Sequence, residues 1–334
     1  MRKTLAWIFL IPITCSAWGV RGHQSANRAA IRALPADGPI FLKEYEDWIA
    51  KTGPVPDSWR GASEPYSKIF EDPNHGWFEE QFSFLKEIPR SRYEFVLRLY
   101  DEYLRIKDKD PDRAALTNVR WTGTLPYAAM ENFDRMKSAM RQYRAASARN
   151  TADAQTDARY LAQDIAFYAG WLGHYTADGA QPLHDTIHHD GWQGDNPHGY
   201  TRDPRIHGRF ESQFVDLIGL TDADLLPKIP KPTVLEDPFA AILHHLDDAA
   251  THVEAIYIMD KRGAFSNPND AEAKGLVTTQ LVKAATLLRD LIYTAWVKSA
   301  EPATRPDASQ NPVSRANPRY NPATGSAPPP AGAQ

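Results

Sequence analysis

The chain has a single cysteine, Cys15, among its 334 residues. It lies within the first seventeen residues, which read as a leader, so the rest of the chain has no cysteine and no disulfide. Any zinc site there must be built from nitrogen and oxygen donors. Long apolar runs are equally scarce. The one clear example, Leu5 to Ile13, is too short to span a bilayer. No convincing alternation of apolar and polar residues marks a strand, no Asn-Gly hairpin occurs, and no internal repeat is visible. Nor is there a surplus of positive charge: the net charge is −4 and the pI about 6.3. Nothing in that balance announces a nucleic-acid binder.

What is present begins with Arg2 and Lys3, the short apolar run, and small residues ending at Ala17. This is the layout of a secretory signal peptide, with cleavage expected after Ala17 and a mature chain starting at Trp18. The protein is thus expected to be exported, to the periplasm or the medium. An exported chain without disulfides must be held by a large core or by metal. At the other end, residues 301–334 are Pro, Ala, Asn and Ser with almost no large apolar residue, which predicts a disordered tail. Between them, residues 18–300 suffice for one domain with a sizeable core.

Helical periodicity dominates that domain. Apolar positions at steps of three and four predict helices over His23–Leu34, Ile40–Lys51, Ser91–Lys107, Pro126–Ala146, Ala152–Asp178, Ile206–Ile218, Pro238–Met259 and Ala271–Lys298. The expected class is all-α, a single multi-helical domain. The helix from Ala152 carries two seams, one through Ile165, Leu172 and Tyr175, the other through Trp171, His174 and Asp178. A helix with two seams is covered on most sides. His174 and Asp178 then point inward at its C-terminal end, where desolvation and the helix dipole both disfavour a carboxylate without a cation.

Other candidate ligands surround this pair. His184 follows just past the helix end, after Pro182. His207 and Glu211 stand at i and i+4 on the next helix and share a face. Asp57 and His75 lie in Pro/Gly-rich connections, and His23 lies five residues after Trp18. Imidazole and carboxylate are usual zinc ligands, and so many of them predict a multi-zinc site.

The segments "WGVRGH" (Trp18 to His23), "HYTADGAQPLH" (His174 to His184) and "HGRFE" (His207 to Glu211) occur in this order. In them the chain resembles the trinuclear-zinc superfamily, which contains the zinc-dependent phospholipases C and the single-strand-specific nucleases of fungi and plants. The resemblance implies three zinc ions. Asp57, His75, His174 and Asp178 would hold the first, and His184, His207 and Glu211 the second. The third would take the α-amino nitrogen and carbonyl of Trp18, His23 and the other oxygen of Asp178. It further implies hydrolysis of a phosphodiester by a zinc-bound hydroxide, with Asp57 orienting the water and Arg60 stabilising the transition state.

The branch is divided. The short gap from Trp18 to His23, the long gap from His184 to His207, and Asp190 through Asn196, a stretched form of a nuclease segment, lean toward a single-strand nuclease or 3′-nucleotidase activity. Glu211, where nucleases prefer Asp, and the missing acid after His75 lean toward a phospholipase C. Trp77 and Asn196 are the substrate-contact candidates, Trp77 as a surface on which a base could stack. His188, His189 and His198 read as loop histidines, and His245 and His252 as structural. The expected partner is the phosphodiester substrate, single-stranded nucleic acid or phospholipid, and the expected state a monomer. The reading from another class is an exported zinc-binding protein without catalysis.

Overall fold

The computed structural model describes residues 18–302 and 307–331; the expected signal peptide lies outside the described residues. The domain is mostly helical and has no sheet among the described residues, as expected for the all-α class. Its first half runs α1 (Gly19–Arg32), α2 (Glu46–Thr52), α3 (Val55–Ser58), α4 (Pro65–Glu71), α5 (Arg92–Ile106), α6 (Pro111–Leu116), α7 (Val119–Thr122) and α8 (Leu125–Ser147). Its second half runs α9 (Ala152–Asp178), α10 (Arg205–Gly208), α11 (Val215–Leu217), α12 (Asp222–Leu225), α13 (Pro238–Ala250), α14 (Val253–Lys261) and α15 (Ala271–Lys298).

Helices α8 and α9 form the central hairpin; α15 lies across both, and α1 packs against α2, α9 and α15. The N-terminus of α9 is capped by Thr151, whose hydroxyl accepts from the Ala154 amide at 3.2 Å. Burial along α9 grows toward its C-terminus. Ile165, Leu172, His174, Tyr175 and Asp178 are buried, whereas Asp153, Asp157 and Tyr160 toward the other end are exposed. The last turns of α9 are therefore the protein's centre, and they carry the ligand candidates.

Close approach at that centre depends on glycine. A Cβ built on Gly173 would stand 2.0 Å from Asn27 Oδ1. The buried Asn27 amide donates to the carbonyls of Ile49 and Gly170, at 3.1 and 3.2 Å, and so ties α1 to α2 and α9. Gly173→Ala should push α1 away and break this tie. We expect a loss of about 2–3 kcal/mol and a fall in Tm of roughly 5–10 °C, read by thermal unfolding. An unchanged Tm would show that the helices separate without cost.

Some expected elements differ in detail. Pro238–Met259 is not one helix: it breaks at Thr251 and His252 into α13 and α14. Between α10 and α11, residues Arg209–Phe214 form a π-helical stretch, a feature often found at functional sites. The expected disordered tail is corrected for residues 307–331, which fold into consecutive turns. Ala327 N donates to Pro312 O at 2.7 Å, and Asn317 Nδ2 to Asn311 O at 3.2 Å. Asn, Ser and Asp side chains satisfy turn backbone locally, without large apolar residues.

Candidate metal centre

Three elements converge below the end of α9. The chain leaves Asp178 through Gly179 and turns at Pro182, where Gln181 Oε1 caps the turn by accepting from Leu183 N at 2.8 Å. This turn delivers His184. The segment carrying His75 is pinned beside it: Trp77 N donates to His184 O at 2.9 Å, and Phe78 N to Thr122 O at 2.8 Å. The pin needs Gly123, at φ +82°, because a Cβ there would lie 1.8 Å from Gly76 O. The third element is the α10 and π-helical stretch with His207 and Glu211.

All eight side-chain ligands expected from the sequence meet here. Asp178 lies in the middle, fully buried. Its Oδ1 faces His23 Nε2 at 3.5 Å. Its Oδ2 faces His75 Nδ1 at 3.0 Å, His174 Nε2 at 3.1 Å and His184 Nδ1 at 3.6 Å. Three groups present donor atoms close enough to share an ion: His23, His174 and Asp178; Asp57, His75 and His174; His184, His207 and Glu211.

Backbone carbonyls fix how the rings are turned. His174 Nδ1–H donates to Gly53 O at 2.8 Å, which turns Nε2 toward His75 Nδ1, 2.9 Å away. His184 Nδ1–H donates to His75 O, and His207 Nδ1–H donates to His189 O at 3.1 Å and Asp190 Oδ1 at 3.2 Å. The Nε2 atoms of His184 and His207 are then left 3.0 Å apart. Burial opposes charge on the His207 ring, but Glu211 and Asp190 raise it well above the usual imidazole range, so this gap is one that a shared proton or a cation can fill. Buried atoms without any hydrogen-bond partner complete the picture: both nitrogens of His23, both oxygens of Asp57, His75 Nε2, Asp178 Oδ1 and Glu211 Oε1.

Electrostatics agrees. Burial, and then His174 beside it, lowers the His23 imidazole to about 3, so it stays neutral and able to ligate. Burial opposes charge on His174, but Asp178 and Asp57 outweigh it and carry the ring up to about 9. Burial opposes ionisation of Glu211 also, yet His207 and His184 hold it at about 2. Asp57 is pushed up by burial. The donor set is therefore of mixed charge, the pattern expected where carboxylates offset cations.

The Trp18 backbone nitrogen belongs to the same centre. It lies 3.3 Å from Glu211 Oε2 and is buried. The indole anchors it, donating to Ala177 O at 2.7 Å. Trp18 has φ 47°, in the left-handed region that a bulky side chain rarely adopts.

No family model, curated protein or solved structure matches this chain. Its chemistry must be read from its own residues. A cleft opens at the centre, lined by His75, His184, His207, Arg60 and Arg120 among others. Arg60 donates to Asp72 Oδ1 at 3.0 Å and approaches Asp57 Oδ1 at 3.6 Å, so its head is held between the centre and the cleft. His189 lies in the cleft wall, stacked on Phe78 at 4.8 Å between centroids.

Two substrate-contact candidates do not reach the cleft. Trp77 is fully buried, packed on Phe82 at 4.5 Å and Phe95 at 5.2 Å, and cannot stack on a base. The pinned backbone turns its indole into the core. The Asn196 amide is used on both sides, donating to Tyr200 O and accepting from Tyr200 N, each at 2.7 Å, and closes its own loop.

Sequence reasoning missed several supports. Glu71 accepts from Tyr175 OH at 2.6 Å and faces His75 Nε2 at 3.4 Å. Gln181 Nε2 donates to Glu211 Oε2 at 3.1 Å. Its place before Pro182 in a ligand-bearing turn was the available signal. Beside His184, the buried Asp185 has no hydrogen-bond donor on either oxygen. Burial and the nearby Glu79 raise its carboxyl well above the usual range.

Glu79 itself is raised to about 7, by burial and by the Asp247 carboxyl against it. A raised folded-state value means a proton held by the folded chain and released by the unfolded one. That contribution is complete below the ordinary carboxylate value and is lost as the pH climbs through 7. Glu79→Gln removes the dependence. Its stability relative to wild type should therefore rise from pH 5 to pH 8 by about 1–2 kcal/mol after allowance for partial exposure, or roughly 2–6 °C in Tm. A constant difference across that range would place the proton elsewhere.

Proposed function

We propose that this protein is a zinc-dependent phosphoester hydrolase whose three ions occupy the centre around Asp178. The observation that carries the reading is the set of imidazoles and carboxylates facing one another at 2.9–3.1 Å around that residue and beside it. His and carboxylate donors without thiolates suit zinc. His75, His174, Asp57 and Asp178 would hold one ion, His184, His207 and Glu211 a second, and Trp18, His23 and Asp178 a third. When bound, zinc lowers the pKa of water and offsets negative charge gathering on a phosphoryl group.

The chain's own groups supply the rest. The carbonyls of Gly53, His75 and His189 fix three ring orientations, so little reorganisation is needed on substrate arrival. Asp57 orients the attacking water through its carboxylate. Arg60, already aligned by Asp72, donates to a phosphoryl oxygen as charge builds there. The short gap from Trp18 to His23 and the long gap from His184 to His207 favour the nuclease branch. The phospholipid reading is the second, favoured because Trp77 and Asn196 are unavailable for contact with a base.

The test is metal analysis joined to a parallel assay. Zinc-loaded protein beginning at Trp18 should retain about three ions after mild dialysis. It should hydrolyse bis(p-nitrophenyl) phosphate and at least one of single-stranded DNA, RNA, a 3′-nucleotide or phosphatidylcholine. Three ions with no hydrolysis would leave only a metal-stabilised binding protein. Arg60→Ala should lower kcat by about 10²-fold, as for loss of one group that stabilises transition-state charge, with zinc content unchanged. Loss of zinc from that variant would instead make Arg60 a support of the ligands.

A further inference from the structure

Helix α4 runs directly into the turn that carries His75. Glu71 ends the helix, and Asp72–His75 follow as one turn of 3-10 helix. Glu71 and His75 are four residues apart, with His75 Nε2 3.4 Å from Glu71 Oε1. The other ring nitrogen, Nδ1, faces Asp178 and His174. The ring thus stands between a ligand position in front and a carboxylate behind.

That carboxylate is buried, and two donors hold it. Tyr175 OH donates to Oε1 at 2.6 Å, and Asn74 Nδ2 to Oε2 at 3.1 Å. Each donor is itself aligned. Trp171 Nε1–H, one turn earlier on α9, donates to the Tyr175 oxygen at 2.8 Å. Asn74 Oδ1 accepts from the Arg92 guanidinium and from the Thr124 hydroxyl, each at 2.9 Å. Arg92 is fixed in turn by Glu131 at 2.9 Å. Burial opposes charge on Glu71, but His75, Tyr175 and Asn74 outweigh it and hold the carboxyl below the usual range. The charge is therefore kept, and its direction is set from several elements at once.

The other rings are backed differently. His174 and His184 donate through Nδ1 to the carbonyls of Gly53 and His75. His207 has Asp190 beside its Nδ1, but that side chain is 53% exposed and water screens it. Among the ligand histidines only His75 has, behind the ring, a buried carboxylate that is not itself a ligand candidate. A carboxylate in that place fixes the tautomer and strengthens the far nitrogen as a metal donor.

We propose that Glu71 is a positioning residue that sets the affinity of the centre for the ion of Asp57, His75 and His174, acting through the His75 ring. This rests on the metal part of the hydrolase reading and is independent of the substrate.

The experiment is transfer of zinc from the loaded chain to a competing chelator, resolved into one dissociation constant for each ion. Glu71→Gln keeps the size of the side chain and removes its charge. It should weaken one ion by about 10–100-fold and leave the others at wild-type affinity. In the cobalt-substituted protein it should shift the visible bands of one ion only. With His75→Gln already present, Glu71→Gln should cost no further affinity, whereas a general loosening of the fold would cost the same in either background. Tyr175→Phe leaves Glu71 charged but takes away its shortest hydrogen bond, and should weaken the same ion by a smaller factor. Unchanged affinity for every ion in Glu71→Gln, or in Tyr175→Phe where Glu71→Gln does not fold, overturns the proposal. So does an equal loss from all the ions, or a loss that persists undiminished beside His75→Gln. Wild type that holds no zinc overturns the hydrolase reading as well. Wild type that holds zinc and hydrolyses no phosphoester overturns that reading alone.

Discussion

Asp178→Asn is expected to lose roughly a thousandfold in activity and to release zinc at dialysis. The substitution keeps the size of the side chain and removes its charge. Its two oxygens face His23 on one side and His75, His174 and His184 on the other, all at 3.0–3.6 Å. Four of the other ligand candidates thus depend on one carboxylate. Removing one partner from a buried charge network costs about 3–5 kcal/mol, which as a barrier is a factor near 10³. The comparison is Glu211→Asp, which keeps the charge and shortens the reach by one methylene. It should retain most of its zinc and a larger share of activity. If both variants were mild and alike, Asp178 would be a buried helix residue and no bridge between ions.

The second large effect concerns the chain's start. Protein with one alanine added before Trp18 should bind one ion fewer and hydrolyse phosphodiesters about 10²-fold more slowly, the scale of a lost ligand or its closest support. Nothing else in the centre changes. The indole of Trp18 stays anchored on Ala177 O, and its ring on Phe210 at 5.4 Å. What changes is the nitrogen 3.3 Å from Glu211 Oε2. At a true N-terminus it is an amine with a lone pair; after an added residue it is an amide that can only donate. Equal zinc content and equal rates would leave a two-ion centre without an N-terminal ligand. The expected result would also mean that a chain not cut before Trp18 is nearly inactive.

Much of this centre was legible because its ligands lie at spacings that local geometry makes meaningful. His174 with Asp178 and His207 with Glu211 share helix faces at i and i+4, and the structure keeps both pairs together, at 3.1 and 2.9 Å. The long helices were readable for a similar reason: α5, α8, α9 and α15 keep one apolar period over many turns. The four-residue helices α3 and α7 were not, since one turn leaves no period to detect. Trp77 misled because the pin through Gly76 and Gly123 decides where its ring points, and that contact joins residues far apart in sequence. Glu71 and Gln181 stayed hidden for the same reason, being single polar residues whose purpose is visible only beside His75 and Glu211. The tail misled in the opposite sense, because composition counts apolar residues and misses turns closed by Asn and Ser.

The contact between Trp18 N and Glu211 spans 193 residues of chain. Contacts of that separation form late, after the elements between them have docked. An ion held there would fasten the first helix to the stretch joining α10 and α11, and would do so only once the intervening helices are in place. Interactions absent from the folding transition state slow unfolding and leave the folding rate nearly unchanged. A metal bound at this centre would in this sense be a latch: its strength would be felt in how long the native molecule persists, and hardly at all in how fast it is reached.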